Sequence, residues 1–146
     1  FASDNNDFAS VKRAAELAEV SENIEEFTEK YETVLGERGV TVSGGQKQRI
    51  SIARALMKKA PILILDDSLS AVDTKTEKNL LQNLQKERGG KTTILIAHRI
   101  STIEQMDKIV YIDDGKIIAV GTHEELLATC PSYEAMAELQ KLEAEK

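Results

Sequence analysis

Hydrophobic and polar residues follow a helical period through the first part of the chain. Apolar residues recur at helical spacing at Phe8, Val11, Ala15 and Ala18. A second, more polar helical pattern runs from Glu22 to Thr28, and the segment from Lys47 to Lys59 contains no glycine or proline. Both residues are unfavourable inside helices, so their absence favours helix there. The pattern predicts an all-helical piece up to Ala60.

Beyond Ala60 the pattern changes to short apolar runs that alternate with helical segments. The predicted elements are a strand at Ile62 to Leu65, a helix at Thr74 to Glu87, a strand at Thr92 to Ala97 and a helix at Ser101 to Gln105. Capping boxes mark both helix starts: Thr74 with Glu77, and Ser101 with Glu104. Alternating strands and helices favour an α/β fold with a parallel sheet. We therefore expect a helical subdomain at residues 1–60 and an α/β part at residues 61–146.

The C-terminal part of the chain predicts a hairpin followed by two helices. Lys108 to Ile112 and Lys116 to Val120 flank an Asp-Gly turn. A capping box of Thr122 and Glu125 begins the next helix, and the last helix runs from Ser132 to Ala144. Its threefold apolar spacing predicts core positions at Tyr133, Met136 and Leu139. We expect His123 to face solvent and Cys130 to be inert.

The segment from Val42 to Gln46 has the chemistry of a phosphate-facing helix start. Ser43 and Gln46 form a capping box, which predicts a helix N-terminus at Ser43. Unpaired backbone N–H groups and the positive end of the helix dipole gather at such a terminus. Gly44 and Gly45 have no Cβ atoms, so an anion can approach the backbone closely. Taken alone, the segment is as consistent with a plain helix cap and a turn of the chain as with a phosphate-binding site.

Polar side chains follow both predicted strands directly. The run from Ile62 to Leu65 is typical of a strand buried on both faces of a sheet, and Asp66 and Asp67 come next. Functional groups gather at the carboxyl ends of such strands. Two acids beside a buried strand are costly unless a cation meets them, so this pair is a candidate metal and reaction centre. His98 ends the second strand, where it could reach a phosphate.

Together these motifs resemble the second part of the nucleotide-binding domain of an ATP-binding cassette (ABC) transporter. Val42 to Gln46 resembles the family's signature motif, with valine in the usual leucine position. Ile62 to Asp66 resembles the Walker B strand, Ser70 to Asp73 the D-loop, and His98 the switch histidine. A loop of the exporters that faces their membrane domains is similar to Gly36, Glu37, Arg38 and Gly39. The resemblance implies a partial P-loop NTPase fold, with a RecA-like parallel sheet and an all-helical signature subdomain.

The resemblance also implies a role for each motif residue. Two such domains are expected to pair head to tail, so that the segment Ser43, Gly44, Gly45 and Gln46 binds an ATP held by the partner. In the chain's own site, Asp66 would hold Mg²⁺ through water and His98 would bind the γ-phosphate. Asp73 would contact the partner domain. Transmembrane domains are the other expected partners, which places the protein at the cytoplasmic face of a membrane.

Asp67 departs from the family pattern, because transporters of this kind usually carry glutamate there to polarise the attacking water. Aspartate is one methylene shorter, and a displacement of about 1 Å can cost ~10²-fold in rate. A similar substitution occurs in one half of heterodimeric exporters, where one ATP site is slow or inactive. We therefore expect Asp67 to belong to a slow site, while the signature completes the competent site of a non-identical partner.

The chain lacks the loop that normally cradles the ATP phosphates. Gly90, Lys91 and Thr92 match the end of the Gly-x-x-x-x-Gly-Lys-Ser/Thr motif, but Gln85 replaces its first glycine and a strand follows instead of a helix. We expect the chain to be a fragment of a longer polypeptide that by itself binds ATP weakly or not at all.

Composition limits the alternatives. A net charge of −6 argues against a nucleic-acid surface, and the basic series of Lys47, Arg49, Arg54, Lys58 and Lys59 is expected to be solvated. No apolar run approaches the ~20 residues that span a bilayer, so the segment is expected to be soluble. Two other functions remain open: an ABC ATPase of chromosome maintenance or repair, and a nucleotide sensor without turnover.

Overall fold

The computed structural model describes residues 7–36 and 39–145. The chain forms two compact units, Phe1–Ile96 and Ala97–Lys146. The sequence-based division into residues 1–60 and 61–146 stays a prediction. No helix in the described part of the chain is long and apolar enough to cross a membrane.

The helices of the first unit lie close to their predicted positions. They are α1 at Phe8–Leu17, α2 at Ser21–Glu25, α3 at Gly44–Met57 and α4 at Thr74–Glu87, with a short 3-10 turn at Lys30–Glu32. The side chain of Asp7 caps α1 by accepting hydrogen bonds from the backbone amides of Ala9 and Ser10. Helix α2 is shorter than its polar pattern predicts, because it ends at Glu25 and has no fully buried residue.

Two parallel strands carry the candidate carboxylates. Strand β1 at Ile62–Asp66 pairs with β2 at Thr92–Ile96, and Asp66 lies opposite Ile96 at the end of the pair. Only one face of β1 is buried: Leu63 and Leu65 face the core. Ile62 and Ile64 are 56% and 61% exposed, so the prediction that β1 is buried on both faces is wrong for the described residues. In the part of the chain that the structure describes, helices cover one face of this pair, and the apolar side chains of the other face are exposed.

A single apolar core holds the first unit together. It joins residues of α1, α3 and α4 to the buried face of β1: Ala14, Ala15, Ala18, Val20, Ile52, Ala53, Leu63, Leu65, Leu69, Val72, Leu80 and Leu84. Leu69 and Val72 lie in the segment between β1 and α4. Because these side chains are buried, the segment that follows the carboxylates is anchored to the core. The predicted α/β class is confirmed.

Helix α4 begins with a different capping residue from the one that its sequence predicts. Asp73 is the N-cap, and its carboxylate accepts a hydrogen bond from the backbone amide of Thr76 at 3.0 Å. Thr74 is the first helical residue and not the cap, while Glu77 is buried. Asp73 precedes Thr74 and is at least as good a capping residue, so the cap lies one residue earlier.

The buried guanidinium of Arg88 ties the end of α4 to both strands. The side chain is 6% exposed. Its nitrogens donate to Thr93 Oγ1 and to the carbonyl oxygens of Ala60, Pro61 and Thr92, at 3.0 to 3.3 Å. These bonds satisfy the charge with carbonyl dipoles at the start of β1 and β2.

The second unit begins with a short helix and continues with the predicted hairpin. Strand β3 at Ile109–Asp113 pairs antiparallel with β4 at Lys116–Gly121. The turn residues Asp114 and Gly115 have φ of 46° and 70°. Two consecutive positive φ values are those of a type I′ turn, which the Asp-Gly pair favours. The hairpin prediction is therefore confirmed.

Three helices complete the second unit: α5 at Ile100–Ile103, α6 at His123–Thr129 and α7 at Pro131–Ala144. The capping box of Thr122 and Glu125 is present, with bonds of 3.3 and 2.8 Å. The capping box predicted at Ser101 is wrong: the N-cap of α5 is Arg99, which makes no side-chain cap, and Ser101 lies inside the helix. This helix has only a single turn, so tertiary contacts outweigh its capping signal.

Tyr133 is the buried centre of the second unit. Its side chain is 0% exposed and packs with Ile100, Ile109, Leu126 and Cys130. Its hydroxyl lies 2.9 Å from His123 Nδ1, so the expectation that His123 faces solvent is wrong. Burial, and after it the negative charge of Glu104, raise the pKa of Tyr133 above its ordinary value. Leu139 is exposed, which contradicts its predicted place in the core.

Candidate functional site

The start of α3 carries the predicted capping box. Ser43 Oγ accepts a hydrogen bond from the Gln46 amide at 3.1 Å, and Gln46 Oε1 accepts one from the Ser43 amide at 2.9 Å. Both side chains are therefore engaged in fixing the helix terminus. Among the described residues, the amide N–H groups of Gly44 and Gly45 have no protein acceptor. They remain available at the positive end of the helix dipole.

The glycines of this terminus pack against the segment that follows β1. A Cβ on Gly44 would lie 3.4 Å from the Cβ of Ala71. A Cβ on Gly45 would lie only 2.6 Å from the carbonyl oxygen of Ala71, which is closer than such atoms approach. The structure therefore brings residues 43–46 together with residues 67–73.

The side chain of Gln48 bonds this segment to α3. Gln48 Nε2 donates to the carbonyl oxygen of Asp67 at 3.1 Å and to Ser70 Oγ at 2.9 Å. Gln48 Oε1 accepts from the amide of Ala71 at 3.0 Å. The sequence analysis missed Gln48, because a lone polar residue inside a helix is ordinarily solvated. Its one signal is the three-residue spacing from Gly45, which puts both on one helix face.

Asp66 and Asp67 lie at the carboxyl end of β1 as predicted, but both are exposed. The expected cost of burying two acids is therefore absent in the described part of the chain. Asp67 has a φ of 48°, in the left-handed region that few residues with a Cβ adopt. Its amide still donates to the carbonyl oxygen of Ile96 at 3.3 Å, which continues the ladder of the sheet. The carboxylates of Asp66 and Asp67 accept no hydrogen bond from the described residues, so both remain open to a ligand.

Asp73, at the far end of this segment, is exposed and caps α4. The backbone hydrogen bond from Thr76, supported by the Thr76 side chain, lowers the pKa of Asp73 below its ordinary value. Its carboxylate is thus ionised at neutral pH and held in place. The predicted contact of Asp73 with a partner domain stays a prediction.

His98 belongs to the second unit and is exposed. Its carbonyl oxygen accepts a hydrogen bond from Gln140 Nε2 at 2.8 Å, and Gln140 Oε1 accepts one from the Ile100 amide at 2.8 Å. Gln140, on α7, therefore fixes the backbone on both sides of Arg99. Sequence reasoning missed Gln140, which lies 42 residues from His98 along the chain. The phosphate-binding role of His98 stays a prediction.

Arg49 corrects the expectation that the basic series on α3 is entirely solvated. Its Nη1 donates to the carbonyl oxygen of Glu19 and, at 2.9 Å, to Asn23 Oδ1. Glu19 Oε1 in turn accepts from Asn83 Nδ2 at 2.8 Å, so Arg49 belongs to a network that reaches α4. The remaining members of the series are exposed: Lys47, Arg54, Lys58 and Lys59.

The loop that resembles a membrane-domain contact is described only in part, because Glu37 and Arg38 lie outside the described residues. The Val40 amide donates to the carbonyl oxygen of Val34 at 3.0 Å, which closes the loop at its base. The side chain of Val34 is 71% exposed beside this closure. An exposed valine at the base of a closed loop is compatible with a protein contact.

The carboxylates at the end of β1 are suited to the way in which nucleotide-binding sites hold Mg²⁺. No group of three or more His, Cys, Asp or Glu residues converges among the residues that the structure describes. Nucleotide-bound Mg²⁺ needs no such cage, because one or two carboxylates join waters and phosphate oxygens around it. The exposed Asp66 at the strand end meets that requirement.

Comparison with known proteins gives consistent matches. The family model described as ABC transporter matches residues 2–70. An ATP-dependent lipid A-core flippase of Alkalilimnicola ehrlichii is 50% identical over 132 residues, which cover 90% of this chain and 22% of that protein. A probable multidrug resistance ABC transporter ATP-binding/permease protein of Bacillus subtilis is 49% identical over 132 residues, 90% of this chain and 23% of that protein.

A solved structure agrees with the sequence matches. The structure of a bacterial Atm1-family ABC exporter with ATP bound superimposes with a TM-score of 0.90 at 40% identity. The match covers 95% of this chain and 24% of the exporter chain. The chain thus spans about a quarter of the length of the proteins that it matches.

Proposed function

This chain belongs to the ABC transporter family, and we propose that it is the C-terminal part of the nucleotide-binding domain of an exporter. In the complete protein this domain hydrolyses ATP to drive a substrate across a membrane, and it works at the cytoplasmic face. The exporter names of the relatives support this proposal over the chromosome-maintenance alternative.

One observation carries the proposal: the start of α3 has two available amide N–H groups, at Gly44 and Gly45, beside the segment that follows Asp66 and Asp67. Amides at the positive end of a helix dipole bind phosphate groups well. Ser43, already fixed by its capping box, presents its hydroxyl at the same terminus. We assign these residues and Gln46 to the γ-phosphate of an ATP whose other contacts come from a second nucleotide-binding domain.

The strand ends supply the chain's own ATP site in this proposal. Asp66 is the Mg²⁺ residue, and the bound ion would neutralise developing charge on the phosphate oxygens. In the same proposal Asp67 orients the attacking water and His98 contacts the γ-phosphate. Asp73, held at the start of α4, is the residue that contacts the partner domain. Residues 1–146 contain no Gly-x-x-x-x-Gly-Lys motif, so this segment alone binds ATP weakly or not at all.

The partners follow from the same arrangement. The second nucleotide-binding domain is a non-identical subunit, because Asp67 is a shortened replacement for the usual glutamate and its own site is slow. The closed loop around Gly36 and Gly39 contacts the transmembrane domains, and the exposed Val34 at its base supports that assignment.

The trans assignment can be tested with Ser43→Asp in the full-length protein, assembled with its partner. Aspartate caps a helix as well as serine does, so the α3 terminus is retained while a negative charge faces the γ-phosphate. We expect at least tenfold slower hydrolysis of the ATP bound by the partner, measured by nucleotide trapping on each subunit. Ser43→Thr, which keeps both cap and hydroxyl, is the control. Slower hydrolysis only of the nucleotide bound by this chain's own domain would contradict the assignment.

The slow-site assignment is tested by Asp67→Glu in the same assembly. The added methylene moves the carboxylate by about 1 Å, and such a shift can change the rate by up to ~10²-fold. We expect hydrolysis at this chain's own site to rise by at least tenfold in single-turnover assays. An unchanged rate would mean that Asp67 does not limit that site. An assembly that binds ATP and never turns it over at either site would favour the sensor alternative.

A further inference from the structure

The backbone of Asp67 is held on both sides by hydrogen bonds. Its amide donates to Ile96 of β2 at 3.3 Å, and its carbonyl oxygen accepts from Gln48 of α3 at 3.1 Å. Ser70 Oγ donates to the same carbonyl oxygen at 3.2 Å. Asp67 also has a φ of 48°, a conformation that a residue with a Cβ keeps only when its surroundings impose it. Of the described groups that bond to the Asp67 backbone, the Gln48 side chain is the one that comes from α3 and not from the sheet or the loop.

The amide of Gln48 can lie in only one orientation. The Ala71 N–H needs an acceptor, so the oxygen Oε1 must face it. The NH₂ group then points at the Asp67 carbonyl and at Ser70 Oγ, both of which accept from it. A single side chain therefore bonds to three groups of the segment that carries Asp67: the Asp67 carbonyl oxygen, Ser70 Oγ and the Ala71 amide. Neither a carboxylate nor an apolar side chain can reproduce this pattern.

We propose that Gln48 is a positioning residue that couples the two ATP sites to which this chain contributes. Gln48 is three residues from Gly45 on the same helix face, and both contact Ala71. It therefore joins the helix that binds the partner's ATP to the residue that orients water in this chain's own site. Movement of the α3 terminus on nucleotide binding is transmitted to the Asp67 backbone through the Gln48 amide. This inference rests on the proposed function.

Two replacements separate the bonds that Gln48 makes. Gln48→Met keeps the length of the side chain and removes all three bonds. Gln48→Glu keeps an acceptor for the Ala71 N–H but turns the donor into an oxygen that faces the Asp67 carbonyl. We expect each variant of the full-length protein, assembled with its partner, to slow single-turnover hydrolysis at this chain's own site at least tenfold. The Kd for ATP at that site should stay within about twofold, because neither variant removes a group that contacts ATP.

The control is Gln85→Met, an exposed glutamine on α4 for which a native single-turnover rate and Kd at this chain's own site are expected. Hydrogen exchange gives a second readout: Gln48→Met should speed exchange of the Ala71 amide at least tenfold, while Gln48→Glu should leave it protected. Slow turnover in Gln48→Glu despite a protected Ala71 amide would assign the effect to the Asp67 carbonyl bond. If Gln48 had a purely structural role, activity would follow protection of the Ala71 amide. Gln48→Met would then lose activity, and Gln48→Glu would keep it.

The outcomes distinguish this inference from the proposed function. A native assembly without ATPase activity would contradict the proposed function. An active native assembly in which Gln48→Met or Gln48→Glu keeps the single-turnover rate at this chain's own site within twofold would overturn only the role of Gln48. A rise in the Kd for ATP at this site in proportion to the fall in its rate, or an equal loss in Gln85→Met, would overturn it as well.

Discussion

Gly45 approaches Ala71 so closely that a Cβ at position 45 would lie 2.6 Å from the Ala71 carbonyl oxygen. Packing within this chain therefore requires glycine at position 45, whether or not a phosphate group binds there. The contact also sets the distance between the α3 terminus and the segment that carries Asp67 and Asp73. The same glycine thus meets a packing requirement in addition to the phosphate-binding role that we propose for it.

Gly45→Ala is expected to destabilise the complete nucleotide-binding domain by about 1–3 kcal/mol, the usual cost of overpacking. Alanine has the higher helix propensity, so a loss of stability must come from the contact with Ala71. Chemical denaturation measures the change. Gly44→Ala is the matched variant, because its Cβ would meet only the Ala71 Cβ, at 3.4 Å. If both substitutions stabilised the domain equally, the close approach would be wrong.

Arg88→Lys is expected to cost about 3 kcal/mol in the free energy of unfolding of the complete domain. Lysine keeps the charge but cannot reach Thr93 Oγ1 and the carbonyl oxygens of Ala60, Pro61 and Thr92 at once, because it lacks the planar fork of arginine. Urea denaturation measures the difference. The exposed Lys78→Met, on the same helix, should change stability by less than ~0.5 kcal/mol. Equal effects of the two variants would contradict the role of Arg88.

Asp73→Asn should reduce stability in a pH-dependent manner. The pKa of Asp73 is lowered in the folded state, so the carboxylate stabilises the fold above its unfolded pKa of about 3.9. This contribution is lost as the pH falls through the lower folded value. The gap in Tm between native protein and Asp73→Asn should therefore be largest above about pH 4 and close at lower pH. A gap that widened on acidification would contradict the assignment.

Tyr133→Phe should lower the free energy of unfolding by about 1 kcal/mol, because it removes the hydrogen bond to His123 Nδ1 and leaves the ring buried. Tyr111→Phe is the matched control, since the ring of Tyr111 packs against the same core and against Tyr133, while its hydroxyl makes no hydrogen bond to the described residues. Calorimetry of the complete domain compares the two. A double-mutant cycle with His123→Phe should show that the effects of the pair are not additive.

Local signals predicted much of the fold. The capping box at Ser43, the Asp-Gly turn and the capping box at Thr122 each rest on residues within one turn, and the structure has all three. The same kind of signal failed at Ser101, where a single helical turn depends on tertiary contacts. At α4, adjacent residues compete for one cap, and Asp73 takes it. The start of a helix or turn was therefore predictable where neither a neighbouring capping residue nor tertiary contacts outweighed the local signal.

Contacts between distant segments could not be predicted from the sequence. Gln48 and Asp67 are 19 residues apart, and Arg88 and Ala60 are 28 apart. A polar side chain on a helix has the same pattern whether it meets water or a carbonyl group. Composition could not show that one face of β1 is open either, since an apolar run predicts burial without saying what covers it. The motif residues were predicted as a set, but what holds them in place was not.

The open face of the parallel strands has a practical consequence for handling the protein. Ile62, Ile64, Ile94 and Ile96 are between 45% and 61% exposed on adjacent strands. Contiguous apolar side chains on a strand pair favour association between molecules in water. A recombinant polypeptide of residues 1–146 should therefore self-associate at high concentration, and substitution of Ile64 by lysine should improve its solubility.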